Sequence, residues 1–278
     1  MRDINDQAPA DSDASICSPA SDSWLNLLLD EGPPDIATLW ELCLTFEYDR
    51  TALVRNLSEW LGNPGGLRVL DCACGTGFPA IDLARRGYDM TCSDGSALML
   101  GYFKRRVQFE GVPMQADQVR WEDLSSRYDE PFDVVMCRGC ALPYAGTWDD
   151  ETPPDRQALA DCAREFAASL RAGGRLYVDT ANELRSSGPE LTRHRPFMIG
   201  SHTIELTEEL SVDPSRRLRF WRSELTIDGQ RYEFRRHSHY LPPDDLVRLL
   251  TDASLRDVRR VRMPGERYAV VTAIRGGD

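Results

Sequence analysis

The run Val69-Leu70-Asp71-Cys72-Ala73-Cys74-Gly75-Thr76-Gly77-Phe78-Pro79-Ala80 places two glycines just after an apolar stretch, and Asp94 closes the next apolar stretch. Glycines at a strand-to-helix turn let the backbone approach a ligand closely, and a carboxylate at the tip of the following strand can take both hydroxyls of a ribose. The pattern predicts a site for an adenosine-type cofactor. Alone, Gly75-x-Gly77-x-x-Ala80 also fits a dinucleotide fold or a tight turn without a ligand. Two features separate these readings. Asp71 would repel a pyrophosphate but can accept from an amino group, and the loop contains no arginine or lysine to offset phosphate charge. A cofactor with a ribose, an ammonium group and no phosphate satisfies both conditions. S-adenosylmethionine has those properties, and dinucleotide binding ranks second.

Composition removes other chemistries. Lys104 is the only lysine in 278 residues. It follows Phe103 rather than a loop glycine, so no P-loop is present, and beside Arg105 and Arg106 it reads as a solvated helix end rather than a Schiff-base lysine. The chain has 45 acidic and 33 basic residues, a formal charge of −12, which argues against a nucleic-acid partner and suits an amine substrate. Of eight cysteines, Cys72, Cys74, Cys92 and Cys137 lie in apolar runs and read as small buried hydrophobes of a cytoplasmic protein, and the set does not read as a disulfide framework. Cys72-x-Cys74 has no second cysteine pair and the histidines (His194, His202, His237, His239) are remote, so no metal site is expected. No apolar run approaches a membrane span, and no basic-then-apolar leader opens the sequence.

The elements that must position the loop follow from periodicity. Residues 1–22 are acidic and Ser/Ala-rich, and predict a disordered tail. Residues 23–66 carry helical spacings (Trp24, Leu25, Leu28; Leu39, Trp40, Leu42, Cys43, Phe46; Leu53, Val54, Leu57) and predict a helical cap. Strands at 67–73, 89–93, 119–121, 132–137 and 175–179 alternate with helices at 78–86, 96–109 and 156–170, the last closed by Gly173-Gly174. Such alternation implies a mostly parallel sheet covered by helices on both faces. The core is assigned to 67–182 and 242–278, the latter a helix at 244–252 and two final strands. Between them, 183–241 reads as an antiparallel insertion of three strands with a hairpin at Asp228-Gly229, placed to act as a substrate lid.

From Trp40 to Ala273 the sequence resembles the class I methyltransferases, and among them the glycine and glycine/sarcosine N-methyltransferases. The Asp71-x-Ala73-Cys74-Gly75-Thr76-Gly77 loop and Gly173-Gly174-Arg175-Leu176 carry the resemblance. It implies a Rossmann-like α/β fold with a seven-stranded sheet, S-adenosylmethionine as cofactor, S-adenosylhomocysteine as product, and a possible homo-oligomer. It also implies a cofactor set of Trp40, Arg50, Asp71, Ala73, Cys74, Gly75, Gly77, Asp94, Gly95, Trp121, Glu122, Asp123, Cys137 and Arg138. Within it, Arg50 would pair with the cofactor carboxylate, Trp121 would lie against the adenine, and Glu122 or Asp123 would accept from the adenine amino group. Arg138-Gly139 stands where the family has Leu-Gly, a position where backbone groups matter more than the side chain.

Three departures bear on substrate. Cys140 replaces the family's asparagine, Cys43 its tyrosine, and Ala181, in Val178-Asp179-Thr180-Ala181-Asn182, stands where the family has the arginine that clamps glycine's carboxylate. The expected acceptor is therefore an amine on an amino-acid-like or glycyl-bearing metabolite, a specialised basic natural product, with free glycine or sarcosine as the alternative. Compensating arginines are Arg138, Arg219, Arg222, Arg235 and Arg236, and the acidic run Asp149-Asp150-Glu151 could receive a cationic substrate. Methyl transfer to a neutral amine depends on proximity and orientation rather than on a strong base. Groups that could fix the amine are Tyr144, Asn182, Tyr240 and His239. An O-methyltransferase would want a histidine or lysine base, and a non-catalytic module would bind cofactor without turnover.

Overall fold

The computed structural model describes residues 19–45, 48–147, 155–181 and 190–277. Three cap helices lead in: α1 (Pro19–Glu31), α2 (Ile36–Leu44) and α3 (Arg50–Leu61). Asp35 and Asp49 cap α2 and α3, accepting from Thr38 N at 2.8 Å and Ala52 N at 3.0 Å. The helical part of the tail starts at Pro19, earlier than the expected 23; the rest of the predicted tail, and Phe46, lie outside the described residues.

The core alternates β1 (Arg68–Asp71), α4 (Ala80–Arg85), β2 (Asp89–Asp94), α5 (Ala97–Phe109), β3 (Ala116–Gln118), α6 (Leu124–Arg127), β4 (Phe132–Cys137), α7 (Arg156–Ser169) and β5 (Leu170–Thr180). The chain then leaves the core for β6 (Glu190–Ile199), β7 (His202–Asp213), β8 (Leu218–Ile227) and β9 (Gln230–His239). It returns through α8 (Pro243–Asp252), β10 (Leu255–Val261) and β11 (Ala269–Arg275). The main sheet has seven strands in the order β10-β11-β5-β4-β1-β2-β3, with only β11 antiparallel to β5 and β10 antiparallel to β11. This is the class I methyltransferase fold, with β1 and β4 at the point where the strand order reverses, the place where such sheets bind ligands. Val69, Leu70, Val134, Val135 and Met136 are wholly buried, as strands covered on both faces require.

The structure corrects three local readings. The third strand is Ala116–Gln118, and Trp121 begins a 3₁₀ turn instead of ending a strand. Gly173-Gly174 does not close α7; α7 stops at Ser169 and the glycines bend the start of β5, where a Cβ on Gly174 would lie 2.8 Å from the Arg171 carbonyl. The insertion has four strands, not three. β6 was missed because Arg193, His194, Arg195 and Pro196 interrupt its apolar alternation, which the sheet tolerates because Pro196 sits on an edge strand.

The four-stranded sheet turns one face inward. Ile204, Leu206, Leu225 and Phe234 pack there against Leu25, Leu29, Leu39, Leu42 and Cys43 of the cap. Each fully buried aliphatic side chain contributes about 1.5–3 kcal/mol, enough to hold this sheet on the cap helices.

Candidate active site

Between the ends of β1, β2 and β4 and the cap lies a cavity of about 270 Å³. Of the cofactor residues expected from sequence, Trp40, Arg50, Ala73, Cys74, Gly75, Asp94, Gly95, Trp121 and Arg138 line it, as does Tyr144. The glycine loop forms one wall. Gly75 has φ of 49° and Gly77 of 105°, and a Cβ on Gly77 would come within 2.6 Å of Ile81 Cδ1 and 3.1 Å of the Phe103 ring. Gly77 thus shapes the turn from beneath rather than touching the cavity. Asp94 Oδ2 accepts from Gly75 N at 2.9 Å and Oδ1 from Ser96 N at 2.8 Å. Each oxygen keeps a further lone pair for a hydroxyl. Burial pushes the Asp94 carboxyl up, opposed by those two backbone bonds. Trp121 Nε1 donates to the Cys72 carbonyl at 2.7 Å, which fixes the indole as a flat apolar wall.

Other expected residues stand elsewhere. Glu122 and Asp123 are exposed and off the cavity wall, because the 3₁₀ turn buries Trp121 and sends the next two side chains outward. Cys137 is buried at the end of β4 behind the wall. Asp71 is buried as well; its Oδ1 accepts from Ala73 N at 3.2 Å, and burial raises its carboxyl to about 7 against the pull of Arg138. It braces the loop instead of facing the cavity. His239 is buried with Nε2 3.0 Å from the Ala145 carbonyl, and Tyr240 donates its backbone N–H to Arg217 O; neither lines the cavity. Burial lowers the His239 imidazole, so it is neutral and its Nε2–H donates, bracing the turn that carries Tyr144. Asn182 and Asp149-Asp150-Glu151 lie outside the described residues.

Sequence reasoning missed Glu41. Its fully buried carboxylate accepts from Thr76 Oγ1 at 2.6 Å and from Arg50, and lies 3.9 Å from Arg106 Nη1. Burial works to raise its pKa, yet Arg50, Arg106 and the Thr76 bond outweigh it and hold the carboxyl low. Arg50, expected as the cofactor's carboxylate clamp, is therefore already paired, with its guanidinium 4.7 Å over the Phe78 ring. The available signal was a lone acid inside the apolar run Leu39-Trp40-Glu41-Leu42-Cys43. The side chain of Arg138 lines the cavity and pairs with Glu266 at 2.5 Å, and its buried Nε has no hydrogen-bond partner among the described residues.

A second, smaller cavity of about 20 Å³ adjoins the first and shares Trp40, Leu44, Gly139 and Tyr144 with it. The four-stranded sheet contributes Arg193, Glu208, Leu210, Arg219 and Trp221 to it, and Cys140 and Tyr268 complete the lining. Trp40 joins the cap to this sheet, with ring centroids 5.0 Å from Trp221 and 6.1 Å from Phe234, and lies 6.1 Å from Tyr144. Strand alternation sorts the candidate arginines. Arg219 and Arg236 face the cavities, whereas Arg222 and Arg235 face outward into an ion network with Glu209, Glu224 and Glu233 and cannot anchor a substrate. Glu208 accepts from Trp221 Nε1 and Arg195 Nη1, both at 3.1 Å.

The first cavity suits S-adenosylmethionine: ribose acceptors at Asp94, an aromatic wall at Trp121, and guanidinium groups at the far end. Residues 69–174 match the family model for a methyltransferase domain. The chain is 30% identical to glycine N-methyltransferase of Oryctolagus cuniculus over 168 residues, 55% of this chain and 56% of that one. It is 31% identical to glycine/sarcosine N-methyltransferase of Halorhodospira halochloris over 118 residues, 42% of this chain and 41% of the other. It thus spans about half the length of the curated relatives it matches. Among solved structures, Streptomyces venezuelae DesVI superposes with a TM-score of 0.72 at 16% identity, over 87% of this chain and 99% of that one. The sugar N-methyltransferase KedS8 from Streptoalloteichus sp. gives 0.65 at 16% identity over the full length of both chains. Among the described residues no helix is long and apolar enough to cross a membrane.

Proposed function

We propose that this chain, which carries a methyltransferase domain of class I fold whose cofactor is S-adenosylmethionine, methylates the amine of an amino-acid-like or glycyl-bearing small molecule. The observation that carries this reading is the paired cavity: a larger chamber that adjoins, at Trp40 and Tyr144, a small pocket of mixed polar and apolar lining, with no histidine or lysine in the described lining of either. Oxygen acceptors need a base to remove their proton; the described linings offer no histidine or lysine, and the one carboxylate of the second pocket, Glu208, is engaged by Trp221 Nε1 and Arg195 Nη1. A neutral amine brings its own lone pair. The relatives named for glycine and sarcosine N-methylation support the same choice.

The cofactor supplies an electrophilic methyl group on a sulfonium. The chain's residues supply placement, from which most of the acceleration of an in-line displacement derives. Asp94 accepts ribose hydroxyls through the lone pairs that Gly75 N and Ser96 N leave open. Trp121 presents a flat face to the base. The guanidinium groups of Arg138 and Arg50, which both line the cavity, would meet the carboxylate end. Burial pushes the Tyr144 hydroxyl up to about 12, so it stays protonated while its oxygen can accept an amine N–H at the junction of the two cavities. The developing ammonium is held by such oxygens without abstraction of its proton.

The half-buried Ala181 carries no cation for a free carboxylate, so the preferred acceptor has its carboxyl group joined to another molecule. Incubation with S-adenosylmethionine and, in parallel, free glycine, sarcosine and carboxyl-blocked glycyl amides, read by mass spectrometry, tests both parts. Turnover of the amides at least tenfold above glycine is expected. Comparable turnover of free glycine would remove the inference from Ala181, and transfer to hydroxyls alone would remove the amine.

A further inference from the structure

Beneath the cofactor cavity three acids from distant parts of the chain meet one arginine. Asp71 ends β1, Arg138 follows β4, Asp179 lies in β5, and Glu266 comes from the loop between β10 and β11. All four are buried: Asp71 1%, Arg138 4% and Asp179 0% exposed, with no exposed side-chain surface on Glu266. Arg138 pairs with Glu266 at 2.5 Å and lies 5.2 Å from the Tyr48 ring centroid and 5.8 Å from that of Phe78. Asp179 accepts from Gly139 N at 3.1 Å and Cys140 N at 2.6 Å; Gly139 lines both cavities and Cys140 the second. Glu266 accepts in addition from Arg267 N at 3.0 Å and Tyr268 N at 3.3 Å. Other titratable groups facing the cluster are Asp94 from β2, the Cys72 and Cys137 thiols, and the Tyr48 and Tyr177 hydroxyls.

Three ionised carboxylates around one guanidinium would leave two uncompensated negative charges in a buried site, which is costly. Burial accordingly raises Asp71 to about 7, Asp179 to about 6 and Glu266 to about 7, in each case against the pull of Arg138. The cluster holds protons near neutrality until a cation is placed over it. S-adenosylmethionine, with a sulfonium, an ammonium and a carboxylate, carries a net charge of about +1, whereas S-adenosylhomocysteine has lost the sulfonium charge and is neutral overall.

We propose that Asp71, Asp179 and Glu266, gathered round Arg138, discriminate the charged cofactor from its neutral product, releasing a proton to solvent when S-adenosylmethionine binds and keeping it when S-adenosylhomocysteine binds. This rests on the cofactor reading above. The ammonium and carboxylate are common to both ligands, so the difference between them isolates the sulfonium. Once the methyl group has left, its charge departs with the product amine, the cluster takes a proton back, and the spent cofactor loses its electrostatic hold.

Isothermal titration calorimetry of each ligand into the full chain, in phosphate and in imidazole buffer at pH 6.5, reads the proton directly from the difference in heats. Release of about half a proton or more is expected for S-adenosylmethionine and close to none for S-adenosylhomocysteine. The S-adenosylmethionine Kd should fall about threefold to tenfold between pH 5.5 and 7, since one linked proton changes affinity by at most about tenfold per pH unit. E266Q, which keeps the shape and removes one acid, should at least halve the release. Equal release by the two ligands, no release by either, or full release in a folded E266Q overturns the proposal. Should E266Q not fold, the wild-type comparison of the two ligands decides alone. Binding of S-adenosylmethionine without proton linkage overturns this inference only, whereas no binding at all overturns the cofactor reading with it.

Discussion

Replacing Glu41 by glutamine puts the buried network of the cap to a quantitative test. The carboxylate is 1% exposed, bonds Thr76 and Arg50, and lies 3.9 Å from Arg106. Glutamine keeps the volume and an acceptor oxygen for Thr76 but removes the charge. Arg106 retains Glu110 at 2.7 Å, so its loss is small. Arg50, 4% exposed, loses the carboxylate it pairs with and keeps the face of Phe78. Breaking one side of a buried ion pair costs about 3–5 kcal/mol. The retained Thr76 bond and the ring contact, about 1 kcal/mol each at most, bring the expected loss to about 2–4 kcal/mol. Urea unfolding at pH 7 measures it. The pH dependence has a fixed sign: the folded-state pKa of Glu41 is depressed, so its stabilisation is present above the unfolded value of 4.5 and is lost as pH falls through the folded value. The gap between wild type and E41Q should therefore be full at pH 7 and shrink below about pH 4.5. A loss below about 1 kcal/mol at pH 7, or a gap undiminished at pH 3, would refute the buried-pair account.

Gly77→Ala should cost about 2–5 kcal/mol in urea unfolding, from about 1–2 for a side chain at positive φ and about 1–3 for the Cβ pressed on Ile81 and Phe103. Gly75→Ala, whose Cβ would meet nothing nearer than 4.0 Å, should cost only the backbone part, about 1–2 kcal/mol, so equal losses would contradict the difference in packing. Tyr144→Phe should lower kcat/KM by about tenfold to a hundredfold with the fold intact, read by steady-state kinetics and circular dichroism. With the wild-type hydroxyl pushed up to about 12, its rate should show no tyrosine limb between pH 7 and 10. His239 is held neutral by burial, so the unfolded chain binds its proton more readily and wild type should lose stability relative to His239→Gln as pH falls from 7 to 5. Unfolding midpoints of the two proteins at both pH values measure this.

What was legible in the sequence was local. The glycine loop, Asp94 at the next strand tip and the strand-helix rhythm are short-range patterns, because a strand-to-helix turn that admits a ligand must be written in consecutive residues. The parts that decide charge in the site are not local. Glu41 comes to Thr76 across 35 positions, and Glu266 to Arg138 across 128. In each case the sequence shows only an acid in an ordinary helix or loop, and its burial follows from how the cap and the last hairpin close over the sheet. Trp121 illustrates the same division from the other side: its identity was readable, but a 3₁₀ turn in place of a strand end moved Glu122 and Asp123 from the cavity to solvent. The arginines show the same division: the resemblance marks Arg50 as a carboxylate clamp and Arg138 as a position where the side chain matters less, and neither position reveals its counter-ion, Glu41 for the one and Glu266 for the other. Arg50, held by Glu41 of the neighbouring helix, and Arg138, held by Glu266 across 128 positions, both line the cavity, so the positive charge of its wall is set by pairings that neither arginine's own neighbours reveal.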